Sequence, residues 1–145
     1  MIVIADTSGL LTLCNRSDPD HLAARKAVDQ CGLLVASPMA LTEVHQVATI
    51  RAGRRAADGV MRVLMGRLAE TRLALAEVTP ALLDMALTVR ARYDSLDLDL
   101  VDAMSVALAA EYDTDAVLTR DLRDFRTVRP LGRSAGCFRI LPDDL

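Results

Sequence analysis

Aromatic residues are scarce in this chain, which has two Tyr, two Phe and no Trp among 145 residues. The hydrophobic core must therefore be built from Ala, Leu, Val, Ile and Met, and few rings are available to stack on nucleobases. Lysine is nearly absent as well, since Lys26 stands beside 16 arginines. The formal net charge of −3 argues against a general surface for binding polyanions.

Cysteine is also sparse, and Cys14, Cys31 and Cys137 are far apart, with no C-x-x-C pair. This dispersed, odd-numbered set argues against a disulfide framework or a zinc site, and is typical of small buried residues in a reducing compartment. No uncharged apolar run approaches the roughly 20 residues of a membrane span, and the first residues contain Asp6 and no basic leader. We therefore expect a cytoplasmic protein without a membrane partner, folded as a single domain over residues 1–145.

The sequence does contain a regular alternation of short apolar runs and amphipathic segments. This alternation predicts right-handed βαβ units, and therefore an α/β fold: a three-layer α/β/α sandwich around a mostly parallel sheet of about five strands. The predicted strands are residues 1–5, 33–36, 73–78, 116–119 and, at an edge, 137–141. The predicted helices are residues 8–14, 21–30, 39–52, 55–70, 80–93 and 100–112, with a turn at 94–99 and a loop at 120–136.

Four acidic residues fall near the ends of these predicted strands. Asp6 and Asp121 each follow a strand directly, whereas Glu43 lies in the helix after the second strand, at the edge of its apolar stripe. Asp102 lies near the start of the helix before the fourth strand, three residues after Asp99 and so on the same helical face. Each position also has a local structural explanation: a helix cap, a solvated acid near a helix start, a capping box, or a turn.

Taken together, these acids predict a divalent metal site. The carboxyl ends of parallel strands meet at one edge of a sheet, where ligands bind. Carboxylates gathered there would repel each other by about 4 kcal/mol per close pair at an effective dielectric of about 20, which bound cations relieve. Oxygen ligands favour Mg²⁺ or Mn²⁺. The histidines fit poorly, because His21 has no acidic partner in the pattern and His45 lies about 200° around the helix from Glu43.

Four short motifs, in order, resemble those of the PIN domain: IADTS (4–8), LTEV (41–44), LVDA (100–103) and LTRDxxDF (118–125). They cover nearly the whole chain, and its size and layout resemble the VapC-type toxins of bacterial toxin–antitoxin pairs. The resemblance implies a metal-dependent endoribonuclease that cleaves RNA by metal-activated water. The residues implied to hold one or two Mg²⁺ or Mn²⁺ ions are Asp6, Glu43, Asp102 and Asp121.

The resemblance also implies supporting residues and partners. Asp99 and Asp124 match neighbouring positions and would be auxiliary ligands, while Thr7, Ser8 and Thr119 would steady the site by hydrogen bonds. Such proteins typically form homodimers and are neutralised by a cognate antitoxin that packs over the catalytic groove. An RNA-processing nuclease without an antitoxin and an inert PIN-fold interaction module remain open alternatives. A haloacid-dehalogenase-like phosphatase is disfavoured, because it needs an Asp where Ser8 stands.

One stretch of the sequence has a local excess of positive charge. Its six arginines outnumber Asp58 and Glu70 by four charges, which predicts a surface that steers RNA toward the acids, led by Arg51, Arg54 and Arg55. A solvated helix face is the alternative explanation. The remaining arginines of the stretch are Arg62, Arg67 and Arg72.

Overall fold

The computed structural model describes residues 1–132 and 136–145, and within them five strands form one sheet. The strand order is β3-β2-β1-β4-β5, and every neighbouring pair is parallel. The strands are β1 (Ile2–Ala5), β2 (Leu33–Ala36), β3 (Leu73–Leu75), β4 (Ala116–Leu118) and β5 (Arg139–Leu141). The helices are α1 (Thr7–Cys14), α2 (His21–Gln30), α3 (Pro38–Ala52), α4 (Arg54–Ala69), α5 (Pro80–Arg92), α6 (Leu100–Glu111) and α7 (Leu122–Thr127), with a 3₁₀ turn at Asp94–Leu96.

The two faces of the sheet are covered by different helices, which makes the fold the predicted three-layer sandwich. Because side chains alternate along a strand, Val3 and Ala5 pack in the core that includes residues of α1 to α4. Ile4 packs on the other face, among residues of α5, α6 and α7. The core is almost entirely aliphatic, although Phe125 and Phe138 form an edge-to-face pair with ring centroids 5.6 Å apart.

The six predicted helices begin at, or one residue before, the positions that the sequence predicts. The hydroxyl oxygen of Ser37 accepts a hydrogen bond from the Ala40 amide at 3.1 Å and so caps α3. Thr79 caps α5 in the same way through the Leu82 amide at 3.2 Å. Gly53 separates α3 from α4 with a φ of +88°, a conformation that favours glycine.

The observed elements differ from the predicted ones in the last quarter of the chain and at the third strand. The predicted loop at 120–136 contains α7, a helix of six residues that is too short to produce a clear apolar period; its residues 133–135 lie outside the described residues. The third strand ends at Leu75 rather than at 78, since its neighbour β2 ends at Ala36 and offers no further partner. The fifth strand begins at Arg139 rather than at 137.

A close contact between α1 and β4 positions the carboxyl edge of the sheet. A Cβ atom added at Gly9 would lie 2.2 Å from the Leu118 carbonyl oxygen, so only glycine fits there. Helix α1 therefore lies directly against the end of β4, and residues 6–8 come beside Thr119. None of the helices in the described ranges combines the length and apolar character needed to cross a membrane.

Candidate metal centre

Asp6 lies at the carboxyl end of the central strand and is 2% exposed. Within the described residues its carboxylate makes no capping hydrogen bond to α1, although it occupies the position before that helix. It accepts hydrogen bonds from the hydroxyls of Thr119 at 3.0 Å and Ser105 at 3.4 Å instead. Burial raises the pKa of Asp6 to about 6, although the Thr119 hydrogen bond opposes the shift. Asp6 is thus a buried acid held by β4 and α6 rather than a simple helix cap.

Thr119 connects three parts of the acidic edge and is fully buried. Its hydroxyl donates to Asp6 and accepts a hydrogen bond from the Asp121 amide at 3.0 Å. The Ser8 hydroxyl lies 3.1 Å from the Thr119 oxygen and donates to the Asp6 carboxylate at 3.5 Å, so Ser8 belongs to the same network. The Ser8 oxygen in turn accepts from the Arg120 amide at 2.8 Å. These bonds fix the positions of the loops after β1 and β4 relative to each other.

Asp99 and Asp102 share the start of α6 but have different surroundings. Asp99 caps the helix, because its Oδ1 accepts from the Asp102 amide at 2.8 Å. Asp102 is 9% exposed, and burial together with the charges of Asp6 and Asp99 raises its pKa to about 9. The capping explanation therefore accounts for Asp99, whereas the environment of Asp102 opposes its negative charge.

Asp121 and Asp124 belong to the first turn of α7. Asp121 caps the helix through the Asp124 amide at 3.4 Å, and burial raises the pKa of Asp121. Asp124 is 8% exposed and accepts from the Arg123 Nε at 3.1 Å. One carboxylate oxygen from each of Asp102, Asp121 and Asp124 lies within 4.8 Å of the others. α7, which the sequence prediction missed, thus brings two acids to α6.

A cavity of about 210 Å³ opens over this edge of the sheet, and we call it the acidic cavity. Helix α3 contributes Glu43, Val47 and Arg51 to its wall, while Thr7 and Ser8 line it from α1. Asp124 is not part of the lining, although its carboxylate lies close to those of Asp102 and Asp121. The acids of the lining are Asp6, Glu43, Asp99, Asp102 and Asp121, so the four acids predicted as metal ligands meet in one place.

The acidic cavity suits a hard divalent cation. Its donors are carboxylate and hydroxyl oxygens, which Mg²⁺ and Mn²⁺ prefer over other ligand types. Burial, and after it the neighbouring acids, raises the pKa values of Asp6 and Asp102 and disfavours their charged forms, which a bound cation would stabilise. The Thr7 hydroxyl is buried and has no hydrogen-bond partner within the described residues, as expected of a group that binds water or an ion's hydration shell.

The predicted arginine surface is distributed over three places. Arg51 alone reaches the acidic cavity. Arg54, Arg55 and Arg62 border a separate depression on α4, and Arg67 and Arg72 border a third one with Arg25 of α2. Both histidines lie outside the acidic cavity. His45 pairs with Asp58 at 2.9 Å between α3 and α4, and the Nδ1 of His21 lies 3.0 Å from the Thr12 carbonyl oxygen.

Ser105 is the site residue that the sequence prediction missed. It is buried and holds the carboxylate of Asp6 from α6. Its place three residues after Asp102 puts it on the same helical face, so the spacing alone would have indicated it.

Comparison with known proteins identifies relatives of the whole chain. The model of the PIN domain family matches residues 3–130. Ribonuclease VapC26 of Mycobacterium tuberculosis (strain ATCC 25618 / H37Rv) is 33% identical over 141 residues, which cover 97% of this chain and all of the relative. The crystal structure of M. tuberculosis VapC20, described as a sarcin-ricin loop cleaving toxin, matches with a TM-score of 0.72 at 25% identity, covering 84% of this chain and 91% of VapC20.

A second solved structure supports the fold alone. It is VapBC2 from Rickettsia felis, bound to a DNA fragment of its promoter, and the matching chain is 11% identical. The TM-score is 0.68, and the match covers 90% of this chain and 96% of the other.

Proposed function

The chain belongs to the PIN domain family, as a VapC-type member, and from this premise we propose that it is an endoribonuclease that depends on Mg²⁺ or Mn²⁺. The observation that carries the proposal is the meeting of Asp6, Glu43, Asp102 and Asp121 in one cavity at the carboxyl edge of the sheet. Relatives named as a ribonuclease and as a sarcin-ricin loop cleaving toxin support the same reaction class.

In this proposal the four acids hold one or two divalent cations, and Asp99 and Asp124 assist them. A bound cation acidifies the attacking water and neutralises charge that develops on the phosphoryl oxygens. The protein's own residues fix the geometry: Thr119 and Ser105 hold the Asp6 carboxylate, and Ser8 ties the loop after β1 to the Arg120 amide. A carboxylate oxygen of the same set accepts the proton of the attacking water.

The biological role that fits this activity is that of a toxin in a toxin–antitoxin pair. VapC20 supports this role, because it is described as a toxin. We include in the proposal a cognate antitoxin that neutralises the nuclease, a homodimer and a cytoplasmic location. Addition of the purified antitoxin at equal concentration is expected to abolish cleavage; undiminished cleavage in a formed complex would contradict the toxin role.

The test of the enzyme is cleavage of total cellular RNA by purified, antitoxin-free protein in Mg²⁺, in Mn²⁺ and in EDTA. We expect discrete cuts that require metal and disappear in Asp6→Asn and Asp102→Asn. Asp84→Asn is the matched control, because Asp84 is exposed on α5 and cleavage should be unchanged. Cuts that persist in EDTA or in both cavity variants would contradict the proposal, and a folded protein that neither binds metal nor cuts RNA would be an inert interaction module.

A further inference from the structure

A second depression, of about 460 Å³, lies beside the acidic cavity. The two share Ser8, Leu11 and Arg51 in their walls. The second depression lies between α1, α3 and α4, and its floor and sides are mostly alkyl groups. We call it the alkyl groove, and its apolar walls are Leu11, Ala48, Ala52, Ala56 and Val60.

We propose that the alkyl groove holds one unstacked nucleobase of the RNA strand, next to the phosphate that is cleaved in the acidic cavity. The inference rests on the proposed nuclease function and adds a specificity site to it. The class of ligand is a single-stranded nucleotide, because sequence-specific RNA recognition mainly uses bases that are turned out of a helix.

The size and chemistry of the groove suit a base. Its volume falls within the roughly 300–1,000 Å³ of small-molecule sites, which are mainly apolar with few polar groups. The methyl groups of Ala48, Ala52 and Ala56 present a low wall, and Leu11 and Val60 add larger alkyl surfaces. Such walls remove the faces of a base from water without an aromatic ring, which fits a chain that has few aromatic residues.

The end of α1 and the loop after it add the polar residues Thr12, Asn15 and Asp18 to the lining of the groove, and in this proposal they meet the edge of the base. The Asn15 Oδ1 accepts a hydrogen bond from the Ser17 amide at 3.1 Å, so the side-chain NH₂ of Asn15 points the other way and makes no bond within the described residues. Asp18 accepts from the Thr12 hydroxyl at 3.2 Å and from the Asp20 amide at 2.8 Å, and each carboxylate oxygen has a second lone pair for another donor. An NH₂ donor beside a carboxylate acceptor can distinguish one base edge from another.

The charge at the junction favours a nucleotide over an uncharged ligand. Arg51 lines both depressions, is exposed, and forms no ion pair with any described residue. Its guanidinium is therefore available for the phosphate that joins the base in the groove to the cleaved phosphate. Arg120, which also lines the groove, is already paired with Asp20 and Asp143. Of the two arginines that line the groove in the described residues, the one without an ion pair is therefore the one that also borders the acidic cavity.

The first test observes the groove without using catalysis. Alanine methyls are labelled with ¹³C, and their NMR shifts are followed during titration with AMP, CMP, GMP or UMP, with ribose 5-phosphate as the ligand that lacks a base. We expect at least one nucleotide to shift the methyls of Ala48, Ala52 and Ala56, and not that of Ala69 at the far end of α4. The absence of methyl shift changes with all four nucleotides, or equal shift changes with ribose 5-phosphate, would overturn the inference.

The second test fills the groove and measures the choice of cutting site. Ala56→Leu is compared with the control Ala69→Leu, since both alanines are exposed on α4 and only Ala56 lines the groove. On oligoribonucleotides that differ at one position beside the cut, Ala56→Leu should reduce discrimination by about tenfold, with unchanged metal dependence. Unchanged discrimination in Ala56→Leu would overturn the base assignment.

The two tests separate the groove from the nuclease function. Methyl shifts in a protein that cuts no RNA would support the nucleotide groove and contradict the proposed function. RNA cleavage by the wild type, together with methyl shifts that no nucleotide changes, would support the nuclease function and contradict base binding in the alkyl groove. Weaker neutralisation by the antitoxin in Ala56→Leu, with unchanged site choice, would assign the groove to a peptide instead.

Discussion

The acidic cavity and the alkyl groove share three wall residues and differ in how the remaining walls are made. The acidic cavity is built at the ends of strands, by loops and first helical turns whose side chains are fixed by named hydrogen bonds, such as those of Thr119. The alkyl groove is built by the packing of α3 and α4 against α1, and its walls carry no charge on the alkyl side. Chemistry is therefore expected to depend on the first region and the choice of substrate on the second.

The largest expected contrast comes from one substitution in each region. Asp121→Asn should reduce cleavage by more than the ~100-fold that loss of a supporting residue typically costs at a metal site, because it removes a charge from the set that holds the cation. Ala52→Leu should reduce cleavage of the preferred RNA at saturating metal by no more than the roughly tenfold by which filling the groove lowers discrimination. Single-turnover cleavage rates at one mapped site measure the effect of each variant. Similar losses in the two variants would contradict the assignment of chemistry to the acidic cavity and of substrate choice to the alkyl groove.

A supporting residue should give an intermediate effect. Thr119→Val removes the hydroxyl that holds Asp6 and leaves the Asp121 amide without its acceptor. We expect the Mn²⁺ concentration for half-maximal cleavage to rise by about 10–100-fold, and Thr119→Ser to restore it. An unchanged Mn²⁺ dependence in Thr119→Val would contradict a role of the Thr119 hydroxyl in positioning Asp6 for the cation.

A smaller effect is expected from the wall that the two regions share. Arg51→Gln should raise KM several-fold with little change in kcat, and lower the salt slope of RNA binding by about one. Arg67→Gln is the control, since Arg67 borders a distant depression. Fluorescence anisotropy of a labelled RNA across salt concentrations reads the slope, and equal slopes in wild type and Arg51→Gln would remove Arg51 from the RNA path.

The smallest expected effect is on stability, and it has the opposite sign to the effect on activity. The native pKa values of Asp6 and Asp102, about 6 and about 9, lie above the ordinary value of 3.8. In EDTA the unfolded chain therefore loses these protons at lower pH than the native state, so native stability falls as pH rises from about 4 towards 9.

Asp102→Asn should accordingly melt a few degrees higher than wild type in EDTA at pH 8, with no such gain at pH 4. Asp84→Asn should gain nothing at either pH. Thermal unfolding followed by circular dichroism makes the measurement, and added Mn²⁺ should stabilise wild type more than Asp102→Asn. A lower melting temperature for Asp102→Asn at pH 8 would contradict the uncompensated charge.

The sequence predicted the sheet and the acidic cavity because both carry local signals. Apolar runs bounded by breakers mark the strands, and topology then requires that Asp6 and Asp121 meet. The bounds of α2 and β2 agree with the prediction to the residue. Three helices begin at capping residues of types that indicate a helix start in a sequence, namely Ser37, Thr79 and Asp99.

Other features could not be predicted, because they arise from packing. α7 was missed since a six-residue helix shows no clear apolar period, and with it the position of Asp124 against Asp102. The alkyl groove depends on alanines, which are common on every helix face and carry no distinguishing signal. The arginines are close together in the sequence. In the structure, the turn at Gly53 and the length of α4 place Arg51 and Arg72 at different depressions.

The central claim is that the acids of the cavity hold the cation on which RNA cleavage depends. The most direct measurement is the rate of cleavage at one mapped site as a function of Mn²⁺ concentration, for wild type and Asp102→Asn, each confirmed to be folded. We predict a rate that is zero in EDTA and saturates with Mn²⁺ in wild type, and that stays near zero in Asp102→Asn at the same concentrations. The same Mn²⁺ dependence in both proteins, or a wild-type rate that EDTA leaves unchanged, would contradict the claim.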